Sequence, residues 1–117
     1  MNRESNPIVE LTFGFSLEII EYTELLHVKK KYNMASQLFR SGTSIGANVR
    51  EAQNCESRND FIHKMKMAAK EAEETKYWLF LCKDSKWYPD PVLLIDKIQV
   101  IIKILNKIIT TSKKTVV

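Results

Sequence analysis

Glu24-Leu25-Leu26-His27 sets a carboxylate and an imidazole three residues apart, the Glu-x-x-His spacing of carboxylate-bridged di-iron bundles. Asp60-Phe61-Ile62-His63 repeats it. Two such motifs facing each other could bridge a pair of metal ions. Glu71, Glu73 and Glu74 could act as an acid–base cluster. Ser41-Gly42-Thr43-Ser44 is a run of small residues, but it lacks the lysine and the preceding strand of a phosphate loop. Cys55 and Cys82 match neither a metal spacing nor a disulfide framework. No Ser-His-Asp or Cys-His pairing is suggested.

Each reading depends on the elements that would position these groups. The chain has only three Gly and three Pro, which disfavours turn-rich β folds. Hydrophobic periodicity predicts four helices, roughly over 7–30, 34–54, 58–84 and 91–110. The first starts at Asn6-Pro7 with core stripe Ile8, Leu11, Phe15, Ile19, Tyr22 and Leu26. Asn33 is expected to cap the second. Ser57 with Asp60 resembles a capping box for the third. Phe61, Met65, Ala68, Ala72, Thr75, Leu79 and Cys82 then step by four and three. Pro89 and Pro91 lie in the loop before the fourth helix, and Lys113 begins an expected frayed tail. Short connections make this an all-α, antiparallel up-and-down four-helix bundle, one domain over 1–117.

That architecture disposes of most of the chemistry. The end of the first helix and the start of the third lie at opposite ends of such a bundle, so His27 and His63 cannot share a metal. Lys66, Lys70 and Glu74 follow each other at four-residue steps, as on a charge-laced exposed face. We therefore expect no catalytic residues, no metal site, no cofactor and no enzymatic activity.

Hydrophobic residues make up 44% and charged residues 27% of the 117 residues, ordinary for a soluble domain. The opening Met1-Asn2-Arg3-Glu4-Ser5 is followed by no apolar signal core, and charges interrupt every helix too often for a membrane span. The expectation is a reduced, cytoplasmic protein with no membrane partner. The net charge of +4 is compatible with nucleic acid.

Two helices look built for association. In the fourth, Leu94, Ile98, Ile101, Leu105 and Ile108 make a core stripe. Ile95, Ile102 and Ile109 flank one side, and Leu93, Val100 and Ile104 the other. The apolar arc spans roughly 220°, more than a lone bundle helix buries, and the excess points to self-association. Met67, Glu71 and Trp78 give the third helix a matching second stripe. The second helix is a poor helix former. Its Gly, Ser, Thr and Asn residues cost roughly 3–4 kcal/mol relative to Ala. Leu38, Gly42, Ile45, Val49 and Ala52 form its core stripe, and Arg40, Ser44, Asn48 and Glu51 are expected on the opposite side. The expected oligomer interface is thus Arg40, Ser44, Asn48, Glu51, Trp78, Leu93, Val100 and Ile104. Arg50, Arg58, Lys64, Lys66 and Lys70 gather around the second turn, with Tyr77 available to stack, as a nucleic-acid surface would require.

The second-helix residues Gln37-Leu38, Arg40-Ser41, Ser44-Ile45, Asn48-Val49 and Glu51 carry a family resemblance. So do Ser57, Asp60-Phe61-Ile62-His63-Lys64, Lys70-Glu71-Ala72, Glu74-Thr75 and Tyr77-Trp78-Leu79 of the third. The chain resembles, over nearly its whole length, the four-helix-bundle proteins encoded in intervening sequences of large-subunit ribosomal RNA genes, once filed as a ribosomal protein. The family commonly has a small residue before, and Gly after, the position of Glu51. Here Arg50 and Ala52 stand there, which implies a different turn. The resemblance implies an up-and-down bundle and a homopentameric ring. The related accessory proteins of diversity-generating retroelements share the barrel, bind nucleic acid and contact a reverse transcriptase. The expected function is a non-enzymatic homo-oligomer, a pentamer, presenting a basic surface to RNA or DNA. The alternative is an adaptor ring that serves a partner protein.

Overall fold

The structure, a computed structural model, describes residues 6–114. The opening segment of 1–5 and the end of the tail, 115–117, lie outside the described residues. Four helices follow one another: α1 Pro7–Val28, α2 Tyr32–Ala52, α3 Arg58–Asp84 and α4 Val92–Lys114. Each packs on its neighbour in sequence, and α1 closes on α4. Neither diagonal pair is in contact among the described residues, so the chain runs up, down, up and down around a square.

The helix ends follow from local chemistry. Pro7 opens α1 in the first turn, where its missing N–H costs nothing. Asn6 precedes it, but its side chain does not cap α1. It donates to Gln53 Oε1 at 3.0 Å and levels the start of α1 with the end of α2. α1 stops at Val28, two residues before the expected end. Lys30 turns left-handed (φ 62°), and Lys31 donates back to Leu26 O at 2.8 Å. α2 therefore begins at Tyr32, and Asn33, expected as its cap, lies inside the helix. Lys31 is the cap residue, and its ammonium lies 4.9 Å from the centre of the Tyr88 ring.

α2 ends at Ala52 with Gln53 still right-handed (φ −66°). The backbone amides of Gln53, Asn54 and Cys55 close the turn with short-range bonds. No left-handed residue is used, so no glycine is required there. Ser57 Oγ accepts from the Asp60 amide at 3.1 Å, as the capping pattern anticipates. Asp90 Oδ1 accepts from the Val92 amide at 3.0 Å and starts α4, which runs to Lys114 rather than 110.

The core is built from Phe15, Ile19, Leu26, Leu38, Ile45, Met65, Leu79, Ile98, Ile101 and Leu105, all fully buried. Thr12, not Leu11, takes the buried place on α1, with its hydroxyl donating to Ile8 O at 2.8 Å. Ile62, not Phe61, starts the stripe on α3. Weak helix formers on α2 serve contact. A Cβ on Gly42 would lie 2.8 Å from Ile19 Cγ1, and one on Gly46 would lie 3.2 Å from the Thr12 carbonyl oxygen. Thr75 Oγ1 donates to Ser41 Oγ at 2.9 Å inside the α2–α3 contact. Tyr22 donates to Pro89 O at 2.6 Å and ties the last loop to α1. Burial, helped by Cys82, pushes the Tyr22 phenol far above its usual range.

The fourth helix corrects one expectation. Ile95, Ile102 and Ile109 are sunk in the chain's own core. The other flank reaches the surface and Ile108 of the expected core stripe is half-buried, so the apolar excess on α4 is narrower than its sequence arc.

Candidate association and nucleic-acid surfaces

The polar half of the expected interface lies along the outer α2–α3 seam. Arg40, from α2, pairs with both Glu71 and Glu74 of α3, and the Glu71 contact is 3.3 Å. Trp78 Nε1 donates to Glu74 Oε2 at 3.0 Å. Glu51 pairs with Lys64 at 2.7 Å. Ser44 donates to Arg40 O at 2.6 Å, and Asn48 to Ser44 O at 3.0 Å. The structure thus brings Arg40, Ser44, Asn48, Glu51 and Trp78 together. It also corrects their setting. The stripe turns toward α3 and is hydrogen-bonded within one chain, instead of standing opposite the core as bare surface.

The apolar half lies elsewhere. Leu93 and Val100 are exposed and Ile104 is half-buried, all on the flank of α4 nearer α1. Val100 forms one wall of a hollow of about 620 Å³ whose floor is Leu11, Gly14 and Leu17 of α1. Glu10, Glu18, Glu21 and Asp96 rim it, and Lys97 is held across the seam by Glu18. A second hollow continues past Leu25 and Leu93 to Asp90.

A third surface was not anticipated. Phe13 is 56% exposed and Leu17 50%. With Ile20 and Phe39 they form an apolar groove between α1 and α2, at whose end Arg50 sits. Leu17 lines both this groove and the α4 hollow, so apolar surface runs unbroken across α1. The signal was present in the sequence. Phe13, Leu17 and Ile20 step by four and three opposite the core stripe, which makes α1 apolar on two faces.

The five basic residues do not share one surface. Arg50 borders the α1–α2 groove, and Arg58 borders a shallow depression with Ser57 and Phe61. Lys64 is occupied by Glu51, whose hydrogen bond holds its ammonium above the usual range. Lys66 points the other way, toward α4, and stands so close to Lys113 that repulsion lowers the Lys113 ammonium. Lys70 is exposed one turn further along α3. Lys66, Lys70 and Lys113 therefore form the basic patch that survives folding.

His27 and His63 are exposed at opposite ends of the bundle. Among the described residues no three His, Cys, Asp or Glu side chains cluster to hold a metal ion. No helix of the described residues is long and apolar enough to cross a membrane.

Comparison with known proteins agrees with this architecture. A crystal structure of a protein of unknown function from the S23 ribosomal protein family of Bacteroides thetaiotaomicron superposes with a TM-score of 0.83. It shares 37% sequence identity, over 87% of this chain and 97% of that one. Among curated proteins none matches. Residues 4–107 match the family described as 23S rRNA-intervening sequence protein. With that match over most of its length, and a bundle that superposes on a solved S23 structure, the chain belongs to the 23S rRNA-intervening sequence protein family.

Proposed function

We propose that this protein is a non-enzymatic homo-oligomer, a pentameric ring, that presents a basic surface to RNA or DNA. The observation that carries the reading is the continuous apolar face across α1, from Phe39 through Phe13 and Leu17 to Val100. A lone bundle helix is apolar on one side, and a large exposed apolar patch marks an association site. The family resemblance supplies the ring number. Support for nucleic acid is the patch of Lys66, Lys70 and Lys113, where the nearby Lys66 ammonium lowers that of Lys113. Repeating that patch around a ring multiplies its field.

Light scattering at micromolar concentration tests the assembly, with Leu17→Glu expected to leave a folded monomer. Fluorescence anisotropy with structured RNA and duplex DNA tests the second half. Affinity should fall steeply as salt rises, and the Lys66→Glu/Lys113→Glu variant should lose it. No affinity at low salt would end the nucleic-acid reading. A partner captured from lysate regardless of nuclease, with no such affinity, would favour an adaptor ring. That alternative has its own support in Glu71, Glu73 and Glu74, which break the basic character of α3.

A further inference from the structure

We propose that the contact between copies is directional in charge. Arg50, on the α2 side of the groove of one copy, meets the carboxylate edge of the α1–α4 seam of the next, at Glu10. This rests on the self-association reading above and adds which edges meet.

The face centred on α1 has two unlike edges. On the α2 side the charged residues lining the groove are Arg50 and Glu51, and Lys64 of the same chain already holds Glu51. Around the α1–α4 hollow they are Glu10, Glu18, Glu21 and Asp96, with Lys97 already held by Glu18, while exposed Lys103 and Lys107 lie further along α4. The apolar strip of Phe13 and Leu17 separates the edges. Docking like edge on like edge opposes carboxylate to carboxylate. Docking unlike edges cancels both charges. The outer face of α3 is a poorer match for the seam, because Glu73 and Glu74 interrupt its lysines.

The levels also agree. The Asn6–Gln53 hydrogen bond sets the start of α1 beside the end of α2. Arg50 and Glu10 each lie about one turn inward from that bond. Copies related by rotation about an axis parallel to the bundle keep every residue at its own level, so Arg50 of one copy comes level with Glu10 of the next. Among the described residues neither Arg50 nor Glu10 has an ion-pair partner in its own chain. Small side chains at Thr43 and Ala47 line the groove beside Arg50. Across the apolar strip, Gly14 has open space where a Cβ would stand. Both features let a neighbouring helix lie close.

Sedimentation of the full chain tests this with Arg50→Glu, Glu10→Arg, their combination, and Lys103→Glu/Lys107→Glu as a rival edge on α4. Circular dichroism first confirms that each variant stays helical. The wild type should assemble. Each single reversal should raise the concentration needed for assembly by about tenfold or more. The combined reversal should restore assembly, and the α4 variant should match the wild type. Single variants that assemble normally, a combination no better than either single, or dissociation by the α4 variant would overturn the proposal. An assembled wild type with indifferent variants removes only the edge assignment. A monomeric wild type removes the self-association reading itself.

Discussion

α1 meets α2 and α4 along two seams that treat a glycine in opposite ways. Toward α2, Gly42 and Gly46 let the two helices lie close. Ile19 and the Thr12 carbonyl occupy the space that a methyl group would need. Toward α4, Gly14 faces nothing within 4 Å, and the two helices splay apart over a hollow rimmed by carboxylates. Small residues on a helix therefore have two uses in one molecule. Toward α2, the space beside Gly42 and Gly46 is filled from across the seam. Toward α4, Gly14 and the neighbouring Leu11, Leu17 and Val100 leave an unfilled apolar trough. Folding closes the first seam and leaves the second open.

The largest effect that separates the two conditions comes from the two flanks of α4. Ile102 is 8% exposed and Val100 50%. Ile102→Ala should lower the unfolding free energy by about 2–4 kcal/mol, because it opens a cavity in the packed core. Val100→Ala should stay within about 0.5 kcal/mol when measured on dilute protein. Urea unfolding followed by circular dichroism measures both. Equal losses would mean that the α1–α4 trough is as closed as the core.

The glycines give a smaller contrast of opposite sign. Gly42→Ala gains about 1 kcal/mol of helix propensity, yet it drives a methyl group into Ile19, which is fully buried and cannot move cheaply. A net loss of about 1–2 kcal/mol is expected. Gly14→Ala meets no neighbour and should stabilise the folded chain by about 0.5–1 kcal/mol. If both substitutions stabilise, the α1–α2 seam is looser than the Ile19 contact implies.

Legibility in the sequence follows the same division. Periodicity gave the four helices and their order, because heptad steps such as Met65, Ala68, Ala72, Thr75 and Leu79 specify one buried face. The Ser57 cap was readable because its partner, Asp60, is three residues away. The ends of α1 and α2 were harder to place, because Lys30 adopts a left-handed turn that no glycine announces. The sequence arc points to α4 because its isoleucines are conspicuous, but five of them fill the core. The corresponding excess on α1 was overlooked. Phe13 and Leu17 alternate there with residues of a good core stripe, and a single stripe was enough to explain that helix. The basic cluster failed for a simpler reason. Lys64 and Lys66 are neighbours in sequence but stand on opposite sides of α3, one toward Glu51 and the other toward Lys113.

The smallest expected effect tests where the α2–α3 seam belongs. Arg40 binds Glu71 and Glu74, and Trp78 shares the second carboxylate. The Arg40 side chain is half exposed, so solvent screens both pairs, and Arg40→Ala should cost only about 0.5–1 kcal/mol of stability. Its effect on assembly should also be weaker than that of Arg50→Glu. Arg40 divides its guanidinium between two carboxylates of its own chain, whereas Arg50 has no ion-pair partner among the described residues. If Arg40→Ala instead abolished assembly while Arg50→Glu left it intact, the α2–α3 seam would be the contact between copies. The trough beside α1 would then lie outside that contact. The ranking of these two arginines by sedimentation therefore decides which side of α2 faces its neighbour.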